Sequence, residues 1–535
     1  MAQLLLNRNI TSLTAAQQFL NPLSTLNHQF DEASLSASLD FIQRCIDHHR
    51  PIFVYGDYDV DGMTSTAMMT EALRQIGAKV ELYIPHRFQD GYGLNANILP
   101  HLISHQAGLL ITLDCGISNV TEIAQIKAAG VAVVVIDHHT LPPVLPSADV
   151  MINPKFLPPT HTLAPLCTAG IVQKWIEFAA TRYPQLNPDA TLDLAALGTI
   201  ADVAPLRGEN RRLVSQGLSA LSTRSRPGIQ ALLEVAENGK PTLSVRDVGF
   251  TIAPRLNATG RLGHAKVGVD LLMAPTPTLA RPIALQLQRL NETRQAMGQS
   301  IFADALTQLT GKFGTPGPVI ALASENWHAG IIGIIASRLV ERFSRPAVLI
   351  AVQDGIGRGS ARTMGDISIY NLLNECRAFF KTFGGHKEAA GFSILPENIP
   401  AFQAHITQVA TATIRQEDLI PTLDIDMILP PEDISLTLIR TLEEISPFGQ
   451  GNPTPVFHCD KLHVIEAKQV GNGQHLKVTF TDPSGLRIID GIGFGLGHQL
   501  STVYQPGIDI AFHLESNTWG GRESAQLQIL DIKSP

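Results

Sequence analysis

The stretch Ile52-Phe-Val-Tyr-Gly-Asp57-Tyr-Asp-Val-Asp61-Gly62 decides the fold. Its first four residues have the apolar composition of a buried strand. Three carboxylates follow within five residues, and they repel one another unless a cation neutralises them. An open α/β sheet keeps its ligand site outside the carboxyl ends of its strands. The pattern recurs: Leu109-Leu-Ile-Thr-Leu113 runs into Asp114, and Val131-Ala-Val-Val-Val-Ile136 into Asp137-His-His139. The expected product is a parallel sheet with a polar, metal-binding rim.

Outward from this stretch, strands and helices alternate. A helix over Ser65–Ile76 and a strand over Lys79–Ile84 follow the first strand. The strand at 109–113 precedes a helix over Asn119–Ala129, and strands at 131–136 and Val150–Ile152 come next. Helix-length segments between apolar strands imply right-handed crossovers in a parallel sheet. From Leu166 to Leu233 the pattern is helical, interrupted by Gly198-Thr-Ile-Ala-Asp202, an apolar stretch with an aspartate at its far end. Thr278–Phe313 reads as one long helix, and the glycines and prolines of 314–318 mark a boundary. A second α/β unit follows, with strands at 319–323 and 347–351. Beyond Leu423, five short strands (456–466, 475–481, 486–494, 508–515, 525–532) suggest a small barrel. The expected division is therefore an N-terminal segment 1–50, a catalytic core 51–277, a connecting helix 278–313, a second lobe 314–418 and a barrel 419–535.

At 535 residues the chain exceeds one ordinary core, and 44% hydrophobic with 16% charged residues is a globular composition. A net charge of -8 gives no sign of nucleic acid but leaves room for a local basic groove. Five scattered cysteines without C-x-x-C spacing exclude a zinc ribbon and suit a reducing cytoplasm. Neither a signal peptide nor a bilayer-length apolar run is present in the sequence, so no membrane association is expected.

Carboxylates suit Mg²⁺ and Mn²⁺, and an imidazole tilts a mixed site towards Mn²⁺. Asp59 and Asp61, two apart, can share a site if the strand continues through them. Asp114 and His138 would complete a two-metal site, with Asp202 as a fourth carboxylate. A calcium loop is excluded because its twelfth position is Met68, where a bidentate Glu is required. A second alternative, Asp57 capping a turn with Asp59 and Asp61 solvated, loses to the recurrence of acids at several strand ends. Arg358, Ser360 and Arg362 lie in a Gly-rich stretch, read as an exposed phosphate-binding loop; the competing reading makes Arg362 a structural ion pair. His386 sits between small residues that leave room for a nucleotide or serve as helix caps. Trp327 is read as core. In the barrel, Phe480, Phe494, Phe512 and Trp519 recur among polar residues, and Trp519 is the stacking candidate.

Asp137-His-His139, Gly56-Asp-Tyr-Asp-Val-Asp-Gly62 and Gly384-Gly-His-Lys-Glu-Ala-Ala-Gly391 resemble the DHH/DHHA1 phosphoesterases. Ala253-Pro-Arg-Leu-Asn-Ala-Thr-Gly-Arg-Leu262, Gly359-Ser-Ala-Arg362 and Ser446-Pro-Phe-Gly-Gln-Gly-Asn-Pro453 narrow the resemblance to the RecJ branch, single-strand-specific 5′→3′ DNA exonucleases. It covers nearly the whole chain. It implies a DHH core, a DHHA1 lobe and an OB-like barrel, with Mn²⁺ or Mg²⁺ as a pair of divalent ions. By resemblance Asp59, Asp61, Asp114, His138 and Asp202 hold the metals, Asp57 is an auxiliary carboxylate and His139 sits beside the scissile phosphate. Ser360 and Arg362 would take the 5′-phosphate, helped by Arg87. Arg255, Asn257 and Arg261 would line the DNA entrance, and His386 would approach a nucleotide. One departure is Tyr55, where some relatives carry a ligand histidine: either one metal is held more weakly or Asp57 substitutes. His264 stands where relatives often have an acid. The implied partners are single-stranded DNA, a RecQ-type helicase and a single-strand-binding protein, and a monomer is expected. The rivals are an oligoribonuclease or cyclic-dinucleotide phosphodiesterase of the same superfamily, disfavoured by the length and the barrel, and a non-catalytic DNA scaffold, disfavoured by the intact acid set.

Overall fold

The computed structural model describes residues 1–22, 30–87, 90–91, 93–313, 316–505 and 507–533. Two compact units emerge: Met1–Ala253 with Val269–Pro277 and Asp424–Pro535, and Pro254–Gly268 with Thr278–Leu423.

The first unit contains five parallel strands, β1 (Ile52–Gly56), β2 (Val80–Tyr83), β3 (Leu109–Leu113), β4 (Ala132–Ile136) and β5 (Val150–Ile152), in the order β2-β1-β3-β4-β5. Every residue of β1 and β3 is buried, as in sheets covered on both faces. The helix after β1 begins five residues earlier than its apolar pattern suggests and spans Val60–Gln75, with Asp59 as its cap. Thr64, Ser65 and Thr66 hide the start: they are buried, and their hydroxyls donate to the carbonyls of Val60, Asp61 and Gly62. Satisfied in this way, polar side chains can occupy a core helix.

Residues 198–202 correct the sequence reading. They do not interrupt the helical pattern, because Leu192–Ala201 is one helix, buried from Leu192 to Ile200, and Asp202 is its C-cap. A mostly apolar helix without a polar face belongs in the interior, and its one charge, Asp193, is paired with Arg226. Asp202 therefore reaches the site from a helix end, not from a strand end.

The second unit holds β6 (Ile320–Ser324), β7 (Ala347–Gln353), β8 (Ile356–Arg362), β9 (Phe380–Gly385) and β10 (Ala389–Ile394), in the order β6-β7-β8-β10-β9. The β6–β7 pair is parallel and the other pairs are antiparallel. The Gly-rich stretch read as an exposed loop is β8, an inner strand between β7 and β10. Glycine serves close packing here, since a Cβ on Gly359 would lie 2.2 Å from the Phe392 ring. Trp327 is core, as expected: it is 1% exposed and donates Nε1–H to Asp304 Oδ2 at 2.7 Å.

The C-terminal strands return to the first unit. They are β11 (Met427–Ile428), β12 (Phe457–Val470), β13 (His475–Thr481), β14 (Ile488–Gly493), β15 (Ile508–Trp519) and β16 (Arg522–Lys533). The order β12-β13-β14-β16-β15 closes into a barrel because β15 also pairs with β12. Phe480 and Phe512 fill its core, whereas Phe494 is exposed and meets His475 edge-on. The side chain of Trp519 lies outside the described residues.

Ser446–Pro453 is braced by buried polar groups. Its hydrogen-bond partners belong to the first unit. Arg211, buried on the helix Gly208–Thr223, donates to the carbonyls of Ile445 and Ser446, and Arg8 donates to Asn452 Oδ1 at 2.7 Å and to the carbonyl of Pro453. Asn452, fully buried, donates to the carbonyls of Ile445 and Pro447 at 2.8 Å each. Asn452→Ala would strand these groups. With each buried unpaired group costing about 1–3 kcal/mol, a melting temperature several degrees lower is expected by calorimetry. An unchanged melting temperature would contradict the bracing role.

Candidate metal centre and substrate contacts

β1 delivers Asp57 into the interior, and the chain then turns into the helix capped by Asp59. Asp59 and Asp61 share the site because the helix starts here, not because the strand continues, which corrects the expectation of an extended Asp-x-Asp pair. Gly62 permits the turn, since a Cβ there would lie 2.5 Å from the carbonyl oxygen of Asp57. Asp61 is held by a helix start: its oxygens accept from the backbone N–H groups of Thr168 (2.8 Å) and Ala169 (2.7 Å) at the head of the helix Thr168–Arg182. A carboxylate gains from the positive end of a helix dipole. Thr168 also donates its hydroxyl to Asp114 at 3.2 Å. Thr168 and Ala169 were missed in the sequence. The available signal was that the helical pattern starts just there, beside small residues able to cradle an anion.

Asp114 follows β3 in the left-handed region, at φ 63°. His138 Nε2 lies 3.2 Å from Asp114 and 3.9 Å from Asp61, and its Nδ1 lies 3.9 Å from Asp202. All seven candidate catalytic residues, Asp57, Asp59, Asp61, Asp114, His138, His139 and Asp202, thus converge. They form three overlapping triplets whose ligand atoms lie within 4.8 Å of one another: Asp114/His138/His139, Asp61/His138/Asp202 and Asp57/Asp59/Asp114. Asp57 Oδ1 is buried without a hydrogen-bond partner. An orphaned carboxylate oxygen beside such a donor set is what a divalent cation fits. Tyr55 is turned away from this chemistry, since its hydroxyl donates to the Gly93 carbonyl within a hydrophobic cluster.

Electrostatics agree. Burial, then the charge of Asp59, pushes Asp57 well above the usual carboxylate range. Burial and then Asp61 do the same to Asp114. Burial and Asp59 raise Asp61 to about 6, and burial and Asp61 raise Asp202 to about 8. Burial, then the His139 charge, lowers His138 to about 3, leaving it a neutral imidazole with a lone pair to give. His139 behaves oppositely: burial works against its charge, yet the Asp137 carboxylate on its Nδ1 at 2.7 Å raises it to about 9. Asp137 is itself fixed by the N–H groups of Ile117 and His139. It orients His139, a role not assigned from sequence.

Asp61 and Asp202 bind protons in the fold up to about 6 and about 8, whereas an unfolded carboxylate releases them near 3.8. Folding therefore takes up protons, and stability falls as pH rises across that window. His139 adds the same sign between about 6.5 and about 9. His138 opposes it only between about 3 and 6.5. The melting temperature in EDTA should drop as pH rises from about 6.5 to 9, and Mn²⁺ should raise it more at the alkaline end. A flat EDTA profile with no Mn²⁺ effect would contradict the cation site.

Arg87 stacks its guanidinium over the Tyr58 ring at 4.7 Å, and its charge opposes, in small part, the rise of the Asp57 carboxyl, so it lies beside the cluster. In the second unit, Arg358, Ser360 and Arg362 alternate along β8. Arg362 Nη1 donates to Ser360 Oγ at 3.2 Å and to the Ala361 carbonyl, and both side chains lie against Gly333 of the helix Ala329–Phe343. His386 is exposed in the turn between β9 and β10, near the register pair Ala389–Arg362. Gly384 and Gly385 end β9, which replaces the helix-cap alternative. Arg255, Asn257 and Arg261 share the helix Ala253–Leu262. Arg255 donates to Gln288 at 2.7 Å and Arg261 to the Gly330 carbonyl at 2.9 Å, while Asn257 is half-buried.

Three family descriptions match in chain order: the DHH family N-terminal domain over residues 51–199, the DHHA1 domain over 317–412 and the RecJ OB domain over 425–531. The single-stranded-DNA-specific exonuclease RecJ of Bacillus subtilis is 34% identical, over 99% of this chain and 67% of its own. RecJ of Escherichia coli is 34% identical, over 90% and 87%. The chain belongs to the RecJ family. A crystal structure of RecJ from Thermus thermophilus in complex with Mn²⁺ superposes with a TM-score of 0.85 at 30% identity, covering 100% of this chain and 76% of that one; a Mg²⁺ complex gives 0.78. The RecJ fold accounts for the DHH sheet, the DHHA1 lobe and the OB barrel. No helix among the described residues is long and apolar enough to cross a membrane.

Proposed function

We propose that this chain is a divalent-metal-dependent exonuclease that degrades single-stranded DNA from its 5′ end to mononucleotides. The observation that carries the reading is the convergence of buried Asp57, Asp61 and Asp114 with half-buried Asp59, His138 and Asp202. Asp59, Asp61, Asp114, His138 and Asp202 would hold two Mn²⁺ or Mg²⁺ ions, with Asp57 as an additional oxygen donor. Bound there, such ions supply an activated water and charge neutralisation on the phosphate.

The chain's own residues do the rest. Thr168 and the helix start fix Asp61 and Asp114. Asp137 keeps His139 protonated and oriented, so that an imidazolium faces phosphate oxygens on which charge builds. Water attacks the phosphorus in line, an O–P bond forms, and the P–O3′ bond of the terminal nucleotide breaks. The 3′-oxygen takes a proton and leaves. Ser360 and Arg362 anchor the 5′-phosphate, with Arg87, Arg255, Asn257, Arg261 and His386 along the strand and the barrel gripping further nucleotides. The enzyme would work in the cytoplasm in recombination and repair, with a RecQ-type helicase supplying strands that single-strand-binding protein covers.

Digestion of single-stranded DNA, duplex DNA and RNA oligonucleotides, side by side with Mn²⁺, Mg²⁺ or EDTA, tests this. Metal-dependent loss of the single-stranded DNA alone is expected. Preference for RNA, or equal digestion in EDTA, would overturn it.

A further inference from the structure

The helix Leu192–Ala201 ends at Asp202 in a pair of reversed hydrogen bonds, Val203 N–H to the Ile200 carbonyl and Ala204 N–H to the Thr199 carbonyl, both 3.1 Å. This ending places its next residue in the left-handed region, a seat that glycine normally takes. Here the seat holds Val203, at φ 58°. A β-branched residue is a genuine outlier there. Every other non-glycine residue with positive φ among the described residues is polar or charged. Packing does not repay Val203 either, because it is 63% exposed. Backbone strain and an apolar side chain in water are both unfavourable, and such combinations persist at functional sites.

The position gives the reason. Val203 directly follows Asp202, whose carboxylate faces His138, and adjacent Cα atoms are only about 3.8 Å apart. A phosphate held among the carboxylates and His138 would carry its two nucleosides past the rim of the cluster, where Val203 stands exposed. Resting on the exonuclease reading above, we propose that Val203 is a substrate contact, an apolar platform for a nucleoside flanking the scissile phosphate. An isopropyl group has no donor or acceptor with which to select a base, so it suits an enzyme that must cut after any of the four.

Val203→Gly tests this, because glycine keeps the left-handed backbone, and with it Asp202, while deleting the platform. Its melting temperature should be no lower than that of the wild type, and its shift on adding Mn²⁺ should be unchanged. On ordinary single-stranded DNA its kcat/KM should fall about 5- to 50-fold, within the range for loss of a small apolar contact. Val203→Ile should retain activity. With an abasic residue at either the first or the second nucleotide, wild type and Val203→Gly should become equal at one of the two positions. A Val203→Gly enzyme as active as wild type, a lower melting temperature, or the same loss on both abasic substrates would overturn the contact alone. A wild type inert on every DNA would overturn the exonuclease reading instead.

Discussion

Asp114→Asn is expected to abolish turnover, by roughly 1,000-fold or more, while the protein stays folded. Asparagine is the right replacement because Asp114 sits at φ 63°, a conformation that asparagine tolerates and alanine does not. The amide also keeps an acceptor for the Thr168 hydroxyl. What disappears is one negative charge shared by two of the three ligand triplets. The metal-free variant should melt no lower than the wild type, because a carboxyl already pushed upward by burial and by Asp61 loses its repulsion. Single-turnover hydrolysis of single-stranded DNA with Mn²⁺, alongside circular dichroism, checks both halves. A folded Asp114→Asn protein that hydrolyses at the wild-type rate would remove Asp114 from the centre.

Arg362→Ala separates anchoring from chemistry. Arg362 and Ser360 sit on the inner strand β8, and hydrogen bonding between them fixes the guanidinium. A charged donor to phosphate is worth about 1.5–3 kcal/mol, so use of 5′-phosphorylated ends should fall roughly 10- to 150-fold. Cleavage of 5′-hydroxyl ends should change much less. Equal losses on both substrates, measured as kcat/KM, would place Arg362 outside the 5′-phosphate site.

The parallel core was legible because buried strands ending in acids are hard to mistake: β1, β3, β4 and β5 fall within a residue or so of their apolar runs. Asp57, Asp59, Asp61, Asp114, His138 and His139 were legible for the same reason, whereas Asp202 was picked out as a strand end and is the cap of a helix. What escaped the sequence lay where polarity or glycine masked regular structure. Thr64, Ser65 and Thr66 satisfy their own hydroxyls and hide a helix start. Leu192–Ala201 is buried on every side and mostly apolar, with Asp193 paired to Arg226, so periodicity could not separate it from a strand. Gly357 and Gly359 suggested a loop but serve packing against Ile394 and Phe392. Thr168 acts on Asp61 and Asp114, far away in sequence, so only the helix start hinted at it, and Asp137 was read as the end of a strand and not as the partner of His139.

The carboxylate and histidine cluster is expected to remove nucleotides one at a time from a 5′ end. A single-stranded oligonucleotide labelled at its 3′ end, digested with Mn²⁺ and sampled over time, tests it most directly. Progressively shorter products that all retain the 3′ label are expected, together with free mononucleotides, and none of either with Asp114→Asn. Immediate release of the 3′ label, or internal fragments without mononucleotides, would contradict it.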